Sequence, residues 1–147
     1  MKKINEMELK FLSISENEAF ARSCVAGFCL GANPSMDELT DIKTAVSEAV
    51  TNCVVHAYPK NPGYITLKVD LYIDYIDISI SDEGVGIDDI GKAKEPFFTT
   101  KPNDERSGMG FTVMESFMSS LDVIKNENKG ITVKMRKVFA REQVVNA

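Results

Sequence analysis

Two runs of strict alternation meet at Asp74-Tyr75 and constrain what can form around them. Ile65, Leu67, Val69 and Leu71 interleave with Thr66, Lys68 and Asp70, and Ile76, Ile78 and Ile80 interleave with Asp77, Ser79 and Ser81. A period of two sets alternate side chains on opposite faces of a strand, so these residues predict an antiparallel hairpin with one buried face. Asp82 shares the even positions of the three isoleucines. If the strand continues, a carboxylate points toward the buried side, where it costs roughly several kcal/mol unless donors meet it or a pocket opens beside it. Asp82 therefore calls for a donor, and the glycines that follow leave room for one.

The rest of the chain supplies further strands and the helices. Met7-Glu8-Leu9-Lys10-Phe11 alternates as an edge strand would. Ser13 precedes Glu16 by three residues and Ser15 precedes Glu18 by three; either pair can form a capping box, so a helix begins here. It carries Ala19, Phe20, Val25, Phe28 and Cys29 and ends near Gly31-Ala32-Asn33-Pro34. Glu18 and Arg22, four apart, read as a solvated ion pair of small worth. Ser35-Met36-Asp37-Glu38 repeats the capping signature, and a second helix runs to about His56 on an apolar stripe of Leu39, Ile42, Val46, Ala49, Val50, Cys53 and Val54. Residues 88–94 suggest a short helix, and residues 95–107, without a period and with two prolines, suggest a lid or binding loop. Residues 110–119 read as a helix, and Leu121, Val123, Ile131, Val133 and Met135 mark two last strands around residues 126–130. Residues 139–147 read as a frayed, flexible tail.

At 147 residues, 44% hydrophobic, the chain is long enough for one well-buried core and too short for two comfortable domains. One domain over residues 1–138 is expected. A net charge of −5 argues against a broad basic face for nucleic acid, and no apolar run approaches the length of a membrane span. Residues 1–10 hold lysines without an apolar signal core, which favours the cytoplasm. Cys24, Cys29 and Cys53 lie among apolar neighbours without CxxC spacing, the pattern of buried thiols rather than of a zinc site or disulfide framework.

Two places carry chemistry. Glu48, Asn52 and His56 stand at i, i+4 and i+8 and so form one row up the second helix. Such a row is either a polar stripe facing water or the margin of a core, where clefts form. The second place is residues 82–110. Asp82-Glu83-Gly84-Val85-Gly86 ends a predicted strand, Phe97-Phe98-Thr99-Thr100-Lys101-Pro102 crosses the loop, and Ser107-Gly108-Met109-Gly110-Phe111 opens a predicted helix. Glycine turns let backbone amides approach an anion, and a helix N-terminus adds unpaired N–H groups and the positive end of its dipole. That arrangement suits a polyphosphate.

In this order the pieces resemble the GHKL ATPase and kinase superfamily. Glu48 and Asn52 look like its N-box, Asp82-Glu83-Gly84-Val85-Gly86 its first glycine box and Ser107-Gly108-Met109-Gly110 its second. Within it, the run from Glu38 to Asn52, Phe98-Thr99-Thr100-Lys101-Pro102 and Arg106-Ser107-Gly108-Met109-Gly110-Phe111 are similar to the bacterial anti-sigma factor serine kinases, those of sporulation above all. The resemblance covers nearly the whole chain. It implies an α+β two-layer sandwich, with a mixed, mostly antiparallel sheet and helices on one face, which binds ATP or ADP with Mg²⁺. The order of strands and helices agrees with that fold and with other two-layer α+β folds.

Carried over residue by residue, the resemblance implies that Asp82 accepts the adenine amino proton, that Gly84 and Gly86 let base and sugar approach, and that Asn52 holds Mg²⁺. Gly108, Met109 and Gly110 would turn amides toward the phosphates, with Thr99, Thr100, Lys101, Arg106 and Ser107 as lid contacts to the β and γ phosphates. Lys101 and Arg106 would neutralise charge that develops on the leaving phosphoryl group, and Glu48 would be the general base. His56 is expected to border the pocket. One departure stands out: many relatives have threonine after the glycine of the last hairpin, where it helps fix the adenine-binding carboxylate, and here Gly130 is followed by Ile131. Another hydroxyl or a water would then serve Asp82, or base selectivity would be looser; Thr132 has the opposite parity and should face away.

The implied function is a cytoplasmic protein-serine kinase that sequesters a sporulation sigma factor and phosphorylates its anti-anti-sigma antagonist, working as a homodimer through the first strand and helix. A switch kinase for a general-stress sigma factor, or a sigma-binding module gated by ATP without turnover, shares the same boxes.

Overall fold

The structure is a computed structural model, and it describes residues 2–86 and 110–141. Five strands form one sheet in the order β1-β2-β3-β5-β4. They are β1 (Lys3–Leu12), β2 (Tyr64–Tyr72), β3 (Tyr75–Asp82), β4 (Ser120–Lys125) and β5 (Ile131–Val138). Every pairing among the described residues is antiparallel. The mixed sheet expected from the resemblance thus shows no parallel pair there, since each neighbouring strand returns by a hairpin or by a helical excursion that reverses it. β1 is an edge strand, as its alternation predicts.

The register realises the parity argument. Leu67 faces Ile80, Val69 faces Ile78 and Leu71 faces Ile76 across β2 and β3, and Ile80 and Ile78 meet Val133 and Met135 of β5. All of these are buried in a single cluster. The row ends with Ile65 opposite Asp82, so the carboxylate occupies the next apolar position of the same face. The other face carries Lys68, Asp77, Ser79, Lys134 and Arg136, with a two-pronged Arg136–Asp77 pair at 2.6 and 2.9 Å.

Helices cover the apolar face. Helix α1 (Glu16–Cys29) turns Ala21, Val25 and Cys29 inward at four-residue spacing. Ala19 and Phe20, expected in its stripe, are exposed instead; Phe20 lies edge-on to Phe11, with ring centroids 6.4 Å apart. The expected capping box is also missing from α1, whose N-cap Ser15 makes no side-chain bond. Ser13 is committed elsewhere: its amide donates to the Gly63 carbonyl at 2.8 Å and its hydroxyl accepts the Gly63 amide at 2.9 Å, tying the end of β1 to the approach to β2.

Helix α2 (Met36–Asn52) opens with the capping box its sequence predicts. The Glu38 amide donates to Ser35 Oγ at 3.1 Å, and Glu38 Oε1 accepts the Ser35 amide at 2.9 Å. Ile42, Ala45, Val46, Ala49 and Val50 are buried against the sheet and neighbouring helices. Its last turn widens into a π-helical segment, Cys53–Ala57, closed by the Tyr58 amide on the Cys53 carbonyl at 3.1 Å. Helix α3 (Gly110–Phe117) packs on α2 and buries Phe111 and Met114.

Residues 139–141 differ from the frayed tail expected from position 139 onward. Phe139 is buried and its amide donates to the Asp74 carbonyl at 2.7 Å; the Ala140 amide donates to Glu38 Oε2 at 2.7 Å. Arg141 donates to the carbonyls of Ala32 and Ile73. An apolar ring and a run of backbone partners hold this stretch, and position near a terminus does not decide order by itself. Residues 142–147 lie outside the described residues, as does the short helix expected over 88–94. Among the described residues no helix is long and apolar enough to cross a membrane.

Candidate functional site

The site begins where β3 ends. Asp82 is 2% exposed, the residue at which an otherwise apolar strand face turns polar. Its Oδ1 accepts the Gly84 amide at 2.9 Å and the Ile131 amide at 3.4 Å. Its Oδ2 faces the Cys53 thiol, with Sγ 3.7 Å away. Burial raises the Asp82 pKa, and the amides of Gly84 and Ile131 and the Cys53 thiol oppose that rise. The donors that the parity argument called for are therefore present: backbone amides and a thiol.

Neighbouring backbone is clamped around this carboxylate. The Tyr58 hydroxyl accepts the Glu83 amide at 2.7 Å and donates to the Tyr64 carbonyl at 2.7 Å. The Val85 amide donates to the Ala57 carbonyl at 2.9 Å, with Gly84 packed on the same carbonyl, so the glycine box lies on the π-helical turn. Gly86 has a positive φ of 77°. On the far side, Gly130 has φ 86°, and a Cβ there would stand 2.1 Å from the Asp82 carbonyl oxygen; glycine alone fits.

The last hairpin secures the Asp82 backbone. Asn126 Nδ2 donates to the Asp82 carbonyl at 2.9 Å, and Asn126 Oδ1 accepts the Thr132 hydroxyl at 2.6 Å. The Thr132 and Ser81 hydroxyls pair at 2.8 Å. Thr132 thus faces away from the carboxylate, as its parity predicts, and steadies the strand end from the opposite face.

Asn52 is the last residue of α2, half-buried, and its carboxamide lies against Gly110 at the head of α3. Glu48, one turn earlier, is also half-buried on the same helix. His56 falls in the π-helical turn, half-buried, beside the carbonyl that holds the glycine box. The row read from the sequence therefore lies at the margin of the core. Thr99, Thr100, Lys101, Arg106, Ser107, Gly108 and Met109 lie outside the described residues.

These residues fit an adenine nucleotide with a magnesium ion on two structural grounds. A buried carboxylate that takes amides at Oδ1 and faces a thiol at Oδ2 keeps a lone pair to offer an exocyclic amine. A carboxamide oxygen at the first turn of a helix offers a hard oxygen ligand close to amides that attract phosphate, and Mg²⁺ needs few protein ligands when phosphates supply the rest. Sequence reasoning missed Cys53, Tyr58 and Asn126. Cys53 read as one more member of an apolar stripe, and only the fold brings Asp82 to it; Tyr58 and Asn126 act through backbone groups distant in sequence, which no local pattern marks.

Residues 15–137 match the family described as the histidine kinase-like ATPase domain. The chain is also similar over nearly its whole length to proteins named anti-sigma F factor. That of Oceanobacillus iheyensis is 53% identical over 142 residues, 96% of this chain and 97% of the relative. That of Caldanaerobacter subterraneus subsp. tengcongensis is 51% identical over 139 residues, 95% and 97% of the two chains. That of Geobacillus kaustophilus is 50% identical over 142 residues, again 96% and 97%. A buried carboxylate beside a glycine box, an asparagine set on the head of the next helix and end-to-end similarity at half identity have one common source: the chain belongs to the anti-sigma F factor family, built on the histidine kinase-like ATPase domain.

Proposed function

We propose that this protein binds a sporulation sigma factor and, as a Mg-ATP-dependent serine kinase, phosphorylates the anti-anti-sigma protein that would release it. One observation carries the reading. A single continuous helix presents Glu48 and Asn52 on one row, Asn52 reaches the head of α3, and the turn that follows abuts the buried Asp82 carboxylate. The metal-holding and proton-accepting groups thereby share one helix, and the turn after it touches the base-reading carboxylate at the end of β3. The names of the relatives support the sigma-binding half of the reading.

When bound, Mg-ATP supplies the phosphoryl group and the metal charge that neutralises it. Asp82 accepts the adenine amino proton through a carboxylate whose other contacts already fix its plane. Asn52, whose carboxamide lies against Gly110 at the head of α3, would hold the metal through its side-chain oxygen. Glu48, one turn away, takes the proton from the attacking serine hydroxyl. Lys101 and Arg106 would neutralise phosphate charge, with Thr99, Thr100, Ser107, Gly108 and Met109 as further phosphate contacts. Phosphoryl transfer asks mainly for positioning and charge neutralisation, so one base beside one metal suffices. A homodimer formed through β1 and α1 is supported by the open edge of β1 and by Leu12, Ile14 and Phe20, all exposed around it.

Glu48→Gln tests the enzyme. The variant should bind Mg-ATP as the wild type does and lose roughly 10²–10⁴-fold in transfer of radiolabelled phosphate to the anti-anti-sigma partner. Undiminished transfer would refute the base, and a wild type that binds sigma but transfers no phosphate would leave a binding module in place of a kinase.

A further inference from the structure

Asp82 meets two kinds of donor, and they divide its oxygens. Oδ1 takes the amides of Gly84 and Ile131, while Oδ2 faces Cys53. The residue beside it on β5, Ile131, is aliphatic and contributes its backbone N–H alone. Cys53 is 4% exposed and stands first in the π-helical segment, where its own amide is shared between the carbonyls of Ala49 and Val50 and its carbonyl takes the Tyr58 amide. Its backbone is thus held on both sides, which leaves the thiol little choice of direction.

We propose that Cys53 is a positioning residue for the base-reading carboxylate: its thiol donates to Asp82 Oδ2, holds the carboxyl plane, and thereby sets how strongly the site prefers adenine. This rests on the nucleotide reading above. Amides at Oδ1 alone leave rotation about the carboxyl bond restrained at one oxygen. A donor at Oδ2 restrains the second, and that oxygen keeps a further lone pair for an incoming amine. With Sγ 3.7 Å from Oδ2, the thiol lies within hydrogen-bond reach of the carboxylate, and an S–H facing an acceptor-only group can only donate. A small apolar residue at position 53 would fill the same space without that donor.

Calorimetry with the full chain separates the two roles. Cys53→Ala should weaken ATP and ADP alike by about three- to tenfold, the worth of one net hydrogen bond, and lower the ratio of ATP to GTP affinity. Cys53→Ser should keep both affinity and ratio. Adding Ile131→Thr to Cys53→Ala should restore them, because it sets a hydroxyl beside the same carboxylate. The nucleotide-free protein gives a second reading by infrared spectroscopy. The Cys53 S–H stretch, taken as the difference from Cys53→Ala, should sit at the lowered frequency of a donating thiol and rise in Asp82→Ala.

Serine and alanine variants of equal affinity and equal base ratio would overturn the proposal and return Cys53 to core packing. So would an S–H band indifferent to Asp82. If Cys53→Ala does not fold, Cys53→Ser and the infrared comparison with Asp82→Ala decide. A wild type that binds no adenine nucleotide, yet shows the lowered S–H band, would refute the nucleotide reading and the base-selecting role while leaving the thiol–carboxylate bond standing.

Discussion

Asn52 lays its carboxamide against the Cα of Gly110: a Cβ on that glycine would stand 2.9 Å from Oδ1 and 3.0 Å from Nδ2. The obstacle is the end of a side chain, which can move, and not backbone. Gly110→Ala should therefore leave the melting temperature unchanged or slightly raised, since alanine suits a helix start better than glycine. On the proposed metal role of Asn52, the displaced carboxamide would no longer reach the ion. ATP affinity measured with Mg²⁺ should fall by about tenfold toward the value in EDTA, and an unchanged Mg²⁺ dependence would free Asn52 of its metal role.

Asp82→Asn should separate stability from binding. Burial raises the folded pKa of Asp82 above its unfolded value. Between those values the folded chain holds more protons than the unfolded chain, so stability falls as pH rises through that window and the deficit is complete above the folded value. The carboxamide keeps an acceptor for Gly84 and Ile131 without the buried charge. Thermal denaturation without nucleotide should find the variant at least as stable as wild type at neutral pH, with the difference closing in acid. The upward shift of melting temperature on adding ATP should vanish, and its survival would contradict the base-reading role.

Glu38 works in the opposite direction. Burial alone would raise its pKa, but the amides of Ser35 and Ala140, the Ser35 hydroxyl and nearby Arg141 hold it below the ordinary value of 4.5. Its contribution is fully present above that value and is lost as pH falls through the folded one. Glu38→Gln keeps an acceptor for Ser35 but loses the one Ala140 uses. A cost of about 1–2 kcal/mol at neutral pH is expected. Urea denaturation at a series of pH values should show wild type and variant converging in acid, and a constant gap would assign the effect to packing.

Phe139 is 3% exposed, so ending the chain at Val138 removes a core residue and the Asp74, Glu38, Ala32 and Ile73 contacts made by the residues after it. Phe139→Ala should cost about 3–5 kcal/mol, and the truncation at least as much. Equal denaturation midpoints for the 138-residue and full chains would show that the stretch is dispensable.

What the sequence made legible, and what it did not, follows from the range of the forces involved. Alternation on β2 and β3 foretold the burial of Asp82, because strand parity is a local rule and tertiary packing had only to honour it. Ser35 and Glu38 formed their capping box for the same reason. Ser13 did not, because Gly63, fifty residues away in sequence, claims its hydroxyl and amide. Phe20 looks like core in a helical stripe, yet the face α1 turns inward carries Ala21, Val25 and Cys29 instead. The glycine boxes were readable as motifs; that a thiol serves the carboxylate was not, since Cys53 and Asp82 stand 29 residues apart and meet only when the helix packs on the sheet.

The π-helical turn after α2 has a consequence for how the chain can vary. Asn52 precedes the wide turn and addresses Gly110; Cys53 and Ala57 lie within it and address Asp82 and the residues after it. The wide turn carries about one residue more than an ordinary α-helical turn, so removing one there would restore ordinary winding and change which side chains between 53 and 57 face the sheet. Point substitutions can tune either end of the cleft separately, whereas a one-residue deletion would change the contacts of Cys53 and Ala57 together.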